Sequence, residues 1–282
     1  MKRYVVAIDL GGHYTFIGLF SEKRMVKYRV FSTPKTKQKI LNEIFEQIES
    51  FGVKKSEIKG IGFGCPGQVR NGIVINLTNL EGWEGTNLKG VIEKKFRKNI
   101  KFKLLNDADA AAIAESIYWN CKDLVCITLG TGFGSGVIKN GKLIEGIEFG
   151  HVSINLNGPK CSCGSRGCIE EYVSVRALER MSKVEFGKKM DPFEIESLAR
   201  KGNQKAKKVY ENFGRYLGIG LKNIVNIFNP EIIVIGGGLS NAYDLFLHKA
   251  KEELKNALYT RTKVVVSRLK KRAGVYGLAS LF

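Results

Sequence analysis

Hydrophobic and polar positions follow two periods along this chain, and the switches between them mark out its elements. Tyr4-Val5-Val6-Ala7-Ile8 is a short apolar run leading into Asp9-Leu10-Gly11-Gly12, which predicts a buried strand closed by an acid and a glycine turn. Thr15 to Phe20 and Met25 to Phe31 predict two more strands joined at Ser21-Glu22-Lys23, close enough to form an antiparallel meander. Ile40, Leu41, Ile44 and Ile48 then recur at helical spacing across 36–50. The run Ile58 to Gly64 predicts the next strand, entering Cys65-Pro66-Gly67, with helices at about 87–96 and 107–119. The order so far is βββαβ.

The same opening recurs further along. Leu124 to Leu129 predicts a strand, Thr131 to Gly136 a glycine-rich turn, and Val137-Ile138 the start of a returning strand. A helical region over about 170–227 follows, then the buried strand Ile232 to Ile235 and the turn Gly236-Gly237-Gly238. Two half-chains opening alike imply an internal duplication, with a ligand cleft expected between the halves.

Composition narrows the classes. A chain of 282 residues can bury two cores. Asp9 interrupts the apolar start, so no signal peptide is expected, and no apolar run is long enough to cross a bilayer. The net charge is +19, from 46 Lys and Arg against 27 Asp and Glu, which admits a polyanionic partner. The lysines are scattered, however (Lys35, Lys54, Lys94, Lys205 and others), without a basic block or reader motif, so no nucleic-acid partner is expected.

The densest chemistry lies between Gly150-His151 and Cys161-Ser162-Cys163-Gly164-Ser165-Arg166-Gly167-Cys168. Three thiols and one imidazole, His151, Cys161, Cys163 and Cys168, make a closed tetrahedral set for structural zinc. Gly164 and Gly167 would let the backbone fold tightly around it. A disulfide or a chance cluster beside an ordinary histidine is the competing reading. Glu148, Glu170 and Glu171 flank the loop and are expected to be free for another task. Cys65, Cys121 and Cys126 lie in apolar surroundings and read as core residues. Thiols kept as metal ligands suit a reducing, cytoplasmic setting.

The glycine turns carry candidate phosphate chemistry. At Gly11-Gly12 and over Gly130 to Gly136, backbone N–H groups could face an anion without a side chain in the way. Neither turn is a Walker loop or a dinucleotide fingerprint. Asp9, at a strand end beside the first turn, is suited to hold Mg²⁺ through water, or is simply a solvated acid. Leu104 and Leu105, read as buried strand residues, lead into Asn106-Asp107 before an alanine-rich helix. Either polar residue could be a helix cap, and a carboxylate at that junction could also take the proton of an attacking hydroxyl.

Taken together, these residues resemble the ROK proteins, bacterial sugar kinases and sugar-responsive repressors of the actin-like ATPase superfamily. The resemblance runs through Asp9-Leu10-Gly11-Gly12, Gly64-Cys65-Pro66-Gly67, Thr78-Asn79-Leu80-Glu81-Gly82-Trp83, Asn106-Asp107, Gly130 to Gly136, Glu148-Phe149-Gly150-His151, the cysteine cluster with Glu170, and Asn229-Pro230 through Gly238. It implies an α/β fold of two actin-like (ribonuclease H-like) domains with an interdomain cleft. The smaller would hold 1–106 plus about 268–282, and the larger 107–267 with the zinc loop.

The resemblance further implies ATP-dependent phosphorylation of a hexose, glucose at the 6-hydroxyl first, with fructose or an N-acetylhexosamine as alternatives. Asp107 would be the general base. Gly67, Gln68, Thr78, Asn106, Glu148, His151 and Glu170 would hold the sugar, His151 also binding zinc through its other ring nitrogen. Asp9, Gly11, Gly12, Gly130, Thr131, Gly132, Gly134, Gly237 and Gly238 would serve Mg²⁺-ATP. A homodimer is expected, since similar proteins are commonly dimers.

One position departs from that pattern. Kinases of the family usually carry Thr directly after the Gly-Gly pair, and here His13 follows, then Tyr14. Thr15 or the imidazole would have to replace that phosphate contact, or the protein would be a weakly active sugar sensor. A repressor of this family would need an added N-terminal DNA-binding domain, for which a strand beginning at residue 3 leaves no room in this reading.

Overall fold

A computed structural model describes residues 3–77, 80–255, 257 and 261–282. The chain divides into two compact units, Met1–Tyr118 with Lys271–Phe282, and Trp119–Lys270.

The first unit opens as the patterning predicts. β1 (Tyr4–Leu10), β2 (Tyr14–Ser21) and β3 (Arg24–Ser32) form an antiparallel meander. α1 (Lys37–Glu49) is capped by Thr36 and buries Ile40, Leu41, Ile44 and Ile48, the stripe that predicted it. β4 (Ile58–Cys65) returns parallel to β1. Next come β5 (Gly67–Arg70), β6 (Ile73–Leu77) and β7 (Thr86–Asn87), a small separate sheet, and then α2 (Leu88–Lys95), capped by Asn87. β8 (Lys101–Asn106) pairs parallel to β4 and runs directly into α3 (Asp107–Trp119). Leu104 and Leu105 of β8 are half-buried rather than buried, because β8 is the edge strand of its sheet.

The patterning does not predict the small sheet because β5 and β7 are short and mostly polar, which leaves the five-residue, largely apolar run of β6 without an apolar partner run beside it. Asn71 and Gly72, with φ of 52° and 81°, are the tight hairpin turn between β5 and β6, and that dipeptide was the cue that could have revealed it.

In the second unit, β9 (Leu124–Leu129), β10 (Phe133–Lys139) and β11 (Lys142–Ile144) form another meander. β10 begins at Phe133, not at Val137 as expected. Gly134, Ser135 and Gly136 pair with Thr128, Ile127 and Cys126, and glycines give a strand no hydrophobic signature. The expected helical region is three helices, α4 (Val175–Phe186), α5 (Pro192–Arg200) and α6 (Gln204–Phe228). Left-handed Gly187 ends the first, and Asp191 and Asn203 cap the other two. β12 (Ile232–Gly236), α7 (Tyr243–Leu254) and β13 (Lys263–Val266) complete the unit.

The duplication is legible in the topology. The large sheets run β3-β2-β1-β4-β8 and β11-β10-β9-β12-β13, the same order with the same mixture of antiparallel and parallel neighbours. After β13 the chain enters α8 (Ala273–Ala279), which belongs to the first unit and packs beside β1 and α3. The unit boundary therefore follows α3 rather than preceding it. A β-carbon on Gly277 of α8 would overlap the Ala110 carbonyl of α3, so these two helices cross in direct backbone contact and keep α3 with its first unit. Among the described residues, no helix is long and apolar enough to cross a membrane.

Candidate functional site

In the first unit, β1, β4 and β8 are parallel neighbours, so their carboxyl ends bring Asp9, Gly64-Cys65 and Asn106 to one edge of the sheet. Such edges are where open α/β sheets place ligands. Burial, reinforced by the neighbouring Asp107 charge, pushes the Asp9 carboxyl up to about 8. Burial, then Asp107 and Asp9, also raises the Cys65 thiol, which keeps it an inert core residue.

Asn106 performs the capping task while tying two loops together. Its Oδ1 accepts from Ala108 N–H at 2.8 Å, and its Nδ2 donates to the Gly67 carbonyl at 3.0 Å. Asp107 is the first residue of α3, its Oδ1 accepting from Ala108 N–H at 2.8 Å. Gln68 is exposed beside Gly67, and Thr78 lies outside the described residues.

The turn at Gly11-Gly12 is narrower chemistry than expected. Gly11 N–H donates to the Tyr14 carbonyl at 3.1 Å, so it closes the turn itself, while Gly12 and His13 are exposed. Thr15 is 0% exposed. Its hydroxyl bonds the Thr33 hydroxyl at 2.9 Å, and Thr33 Oγ1 donates to the Gly11 carbonyl at 2.7 Å. Thr15 therefore cannot supply the hydroxyl missing at position 13: the strand register turns it into the core.

In the second unit, the turns at Gly130–Gly134 and Gly237-Gly238 lie together. β9 and β12 are parallel neighbours, and a β-carbon on Gly237, at φ +82°, would overlap the backbone of Leu129. Gly130 N–H is already engaged with the Gly132 carbonyl at 3.0 Å, and the Gly130 carbonyl accepts from Val175 N–H at 2.8 Å. Thr131 and Gly238 are exposed, and Gly132 and Gly134 are half-buried.

The cysteine loop is drawn together as its ligand types predicted. Gly164 and Gly167 take φ of 92° and 65°, as a tight loop needs. His151 Nδ1 lies 3.6 Å from Cys161 Sγ, Cys163 Sγ lies 3.6 Å from Cys168 Sγ, and all four ligand atoms fall within 4.8 Å of one another. Zinc bonds of ordinary length would set tetrahedral edges of about 3.8 Å between sulfurs and about 3.6 Å between sulfur and nitrogen. The set thus fits a tetrahedral ion, and every cysteine is free, which removes the disulfide reading. Cys65, Cys121 and Cys126 are buried as expected. Burial and the neighbouring thiols push Cys168 up to about 12, so a dication is what would hold these sulfurs together as thiolates. With Nδ1 toward Cys161, Nε2 of His151 is left for another partner.

The flanking carboxylates are not idle. Glu170 is buried; its Oε2 accepts from Phe133 N–H at 2.9 Å and its Oε1 from Arg176 at 2.9 Å. Glu171 pairs with Arg180 at 3.3 Å. Arg176 and Arg180 went unnoticed in the sequence, although their four-residue spacing puts both on one face of α4, matched to adjacent acids. Burial raises Glu148 above the usual carboxylate range, opposed by His151 and reinforced by Glu170, so these three groups share one electrostatic environment.

Known proteins are similar to this chain over nearly its whole length. The ROK family profile matches residues 5–282. The chain is 32% identical to a xylose repressor of Caldicellulosiruptor bescii, covering 98% of this chain and 77% of the repressor. It is 30% identical to a glucokinase of Thermotoga maritima, covering 99% of this chain and 97% of that enzyme. In structure it is similar to a ROK family glucokinase from Streptomyces griseus in complex with glucose and AMPPNP, with a TM-score of 0.83, 28% identity, and coverage of 99% and 98%. It is similar also to a ROK hexokinase from Thermus thermophilus, with a TM-score of 0.81, 30% identity, and coverage of 98% and 96%. With its two actin-like α/β domains, this chain belongs to the ROK family.

Proposed function

We propose that the chain transfers a phosphoryl group from ATP to a hexose, glucose at the 6-hydroxyl first among the candidates. The observation that carries this reading is the pair of acids, Asp9 at the end of β1 and Asp107 directly after β8, with the charge of Asp107 reaching Asp9. Phosphoryl transfer needs one carboxylate to receive the hydroxyl proton and another to face the magnesium of the nucleotide. Asp107, held at the first turn of α3, takes the proton. Asp9, at the end of β1, faces the cation through water.

Other residues position the reactants. Asn106 and Gly67, already bonded to each other, and Gln68 line the sugar, a role that falls also to Thr78, outside the described residues; Glu148, His151 through Nε2, and Glu170 hold further hydroxyls. Gly12, Gly130 to Gly134, Gly237 and Gly238 receive the nucleotide, with Gly11 closing its turn. Magnesium would neutralise charge on the phosphates. The ion of the cysteine loop is zinc, which orders His151 and plays no chemical step. Free thiols on this loop suit a reducing cytoplasm.

A sugar-responsive role is the second reading, favoured by His13 at the exposed turn, by the sealing of Thr15, and by likeness to xylose repressors. A coupled assay with ATP and Mg²⁺ across glucose, mannose, fructose, N-acetylglucosamine, N-acetylmannosamine, allose and xylose separates the two. Phosphorylation of a hexose is expected. Sugar binding by calorimetry with no phosphorylation of any sugar would favour the sensor.

A further inference from the structure

Within the second unit, the segment that carries the metal ligands and the turn proposed to hold phosphates are joined through one side chain. Glu170 follows the ligand Cys168 by two residues, and its Oε2 accepts the N–H of Phe133, the first residue of β10. A β-carbon on Gly132 would overlap that same oxygen, so the carboxylate lies directly against the turn, and a larger residue there would have to displace it. Two further links tie the same stretches. Val175 N–H donates to the Gly130 carbonyl at 2.8 Å, and Ser135 Oγ donates to Ile147 O and accepts from Phe149 N–H, each at 3.0 Å. The turn is thus held at its entry, its exit and the strand beyond.

We propose that Glu170 is a positioning residue that fixes the phosphate turn and couples nucleotide binding to hexose binding. The coupling half rests on the kinase reading above, in which the same carboxylate accepts a sugar hydroxyl. The physical argument has two parts. First, Phe133 N–H is the donor that sets where β10 begins, and hence the path of Thr131 and Gly132 between Leu129 and Phe133. Second, a carboxylate beneath a phosphate site opposes an incoming triphosphate, and here Arg176 offsets its charge from 2.9 Å. A hydroxyl donating to Glu170 withdraws more of that charge and stiffens the side chain, so sugar at one end favours nucleotide at the other. Linkage makes the effect reciprocal.

The test is calorimetric affinity for Mg²⁺-AMPPNP, with and without the hexose that the assay panel identifies, in the native chain, Glu170→Ala, Glu170→Gln and Arg176→Met. Hydrogen exchange at the Phe133 amide is read alongside. In the native chain, hexose is expected to tighten nucleotide binding about tenfold. Glu170→Ala should weaken sugar-free nucleotide binding by a similar factor, speed Phe133 exchange and abolish the hexose effect. Glu170→Gln keeps an acceptor oxygen and loses the charge, so it should retain or exceed native sugar-free affinity, which a purely structural loss would not produce. Should Glu170→Ala fail to fold, Arg176→Met, altered at a side chain 45% exposed, is expected to weaken nucleotide binding several-fold.

Native nucleotide affinity together with native Phe133 exchange in Glu170→Ala would overturn the inference, even in a chain that phosphorylates hexoses. So would a native hexose effect in that variant, or, where Glu170→Ala does not fold, native affinity in Arg176→Met. Failure to phosphorylate any hexose, with the nucleotide loss in Glu170→Ala intact, would instead sink the kinase reading and leave the positioning of the turn standing.

Discussion

Asp9 and Asp107 flank Gly64: a β-carbon on that glycine would lie 3.7 Å from Asp9 Oδ1 and 3.8 Å from the Asp107 Cα. The strand between the two acids thus presents no side chain there, and the charge of Asp107 acts on Asp9 with no side chain of β4 interposed. Together with burial, this drives the Asp9 carboxyl from its ordinary 3.8 to about 8.

A pH dependence of stability follows. A carboxyl whose folded pKa exceeds its unfolded value favours folding in its protonated form. Its ionisation therefore destabilises progressively as pH rises from about 4 to about 8, and the penalty is complete above that window. In the absence of Mg²⁺ and nucleotide, Asp9→Asn is expected to melt above the native chain at pH 8.5, by up to a few kcal/mol of stability. The difference should vanish near pH 4. Thermal melting of both proteins across this range checks it; a native chain equally matched to Asp9→Asn at every pH would contradict the assignment.

Asp107→Ala should lower kcat by about 100- to 10,000-fold, the usual contribution of a general base, while hexose affinity changes little. Coupled kinetics combined with calorimetric sugar binding test this. Turnover retained at the native rate would exclude Asp107 as the base.

At the tip of β1 and β2, His13 is exposed and the Thr15 hydroxyl is sealed against Thr33. His13→Thr is therefore expected to raise kcat several-fold at saturating hexose, and His13→Ala is not. Thr15→Val should leave kcat unaltered and cost about 1 kcal/mol of stability by breaking a buried hydrogen bond. Steady-state kinetics and urea unfolding read the two effects separately.

Cys163 is the exposed thiol of the Cys₃His loop, so Cys163→Ser would remove one of the proposed zinc ligands without carving into the core. Zinc content by metal analysis should fall, with a melting temperature lower by about 3–10 °C, and chelation of the native chain should produce the same shift. Cys65→Ala, far from the loop in sequence and buried on β4, should keep its zinc.

Gly277→Ala tests how α3 is held. The added methyl meets the Ala110 carbonyl, part of a rigid helix, so the helices must separate. A destabilisation of about 1–3 kcal/mol is expected, measurable by urea unfolding, with zinc content unchanged.

Much of the architecture was legible because it is periodic. The stripe Ile40, Leu41, Ile44 and Ile48 predicted α1, and the apolar runs ending at Leu10 and Leu129 predicted the first strands of both sheets. Pattern failed where residues carry little hydrophobic signal: Gly134 and Gly136 belong to β10, and β5 before Asn71-Gly72 is short and mostly polar, so the brief apolar run of β6 after it had no visible partner. Helix breaks at Gly187 and Asp191-Pro192 were written in the turn residues yet masked by the apolar spacing around them.

By itself, the sequence determined what depends on residue type and short spacing: the strand and helix stripes, the repeated opening of the two half-chains, and a Cys₃His set whose soft ligands suit zinc. Only the tertiary structure decided which groups are spoken for. It turned Thr15 into the core, bound Glu170 to Phe133 and Arg176, enclosed Asp9 beside Asp107, and kept α3 with the first unit through α8. These outcomes depend on solvent exclusion and on contacts between residues far apart in the chain, such as Asp9 with Gly274 or Ala110 with Gly277. No local period encodes such encounters, because they exist only once the strands have set which distant side chains share the same few ångströms.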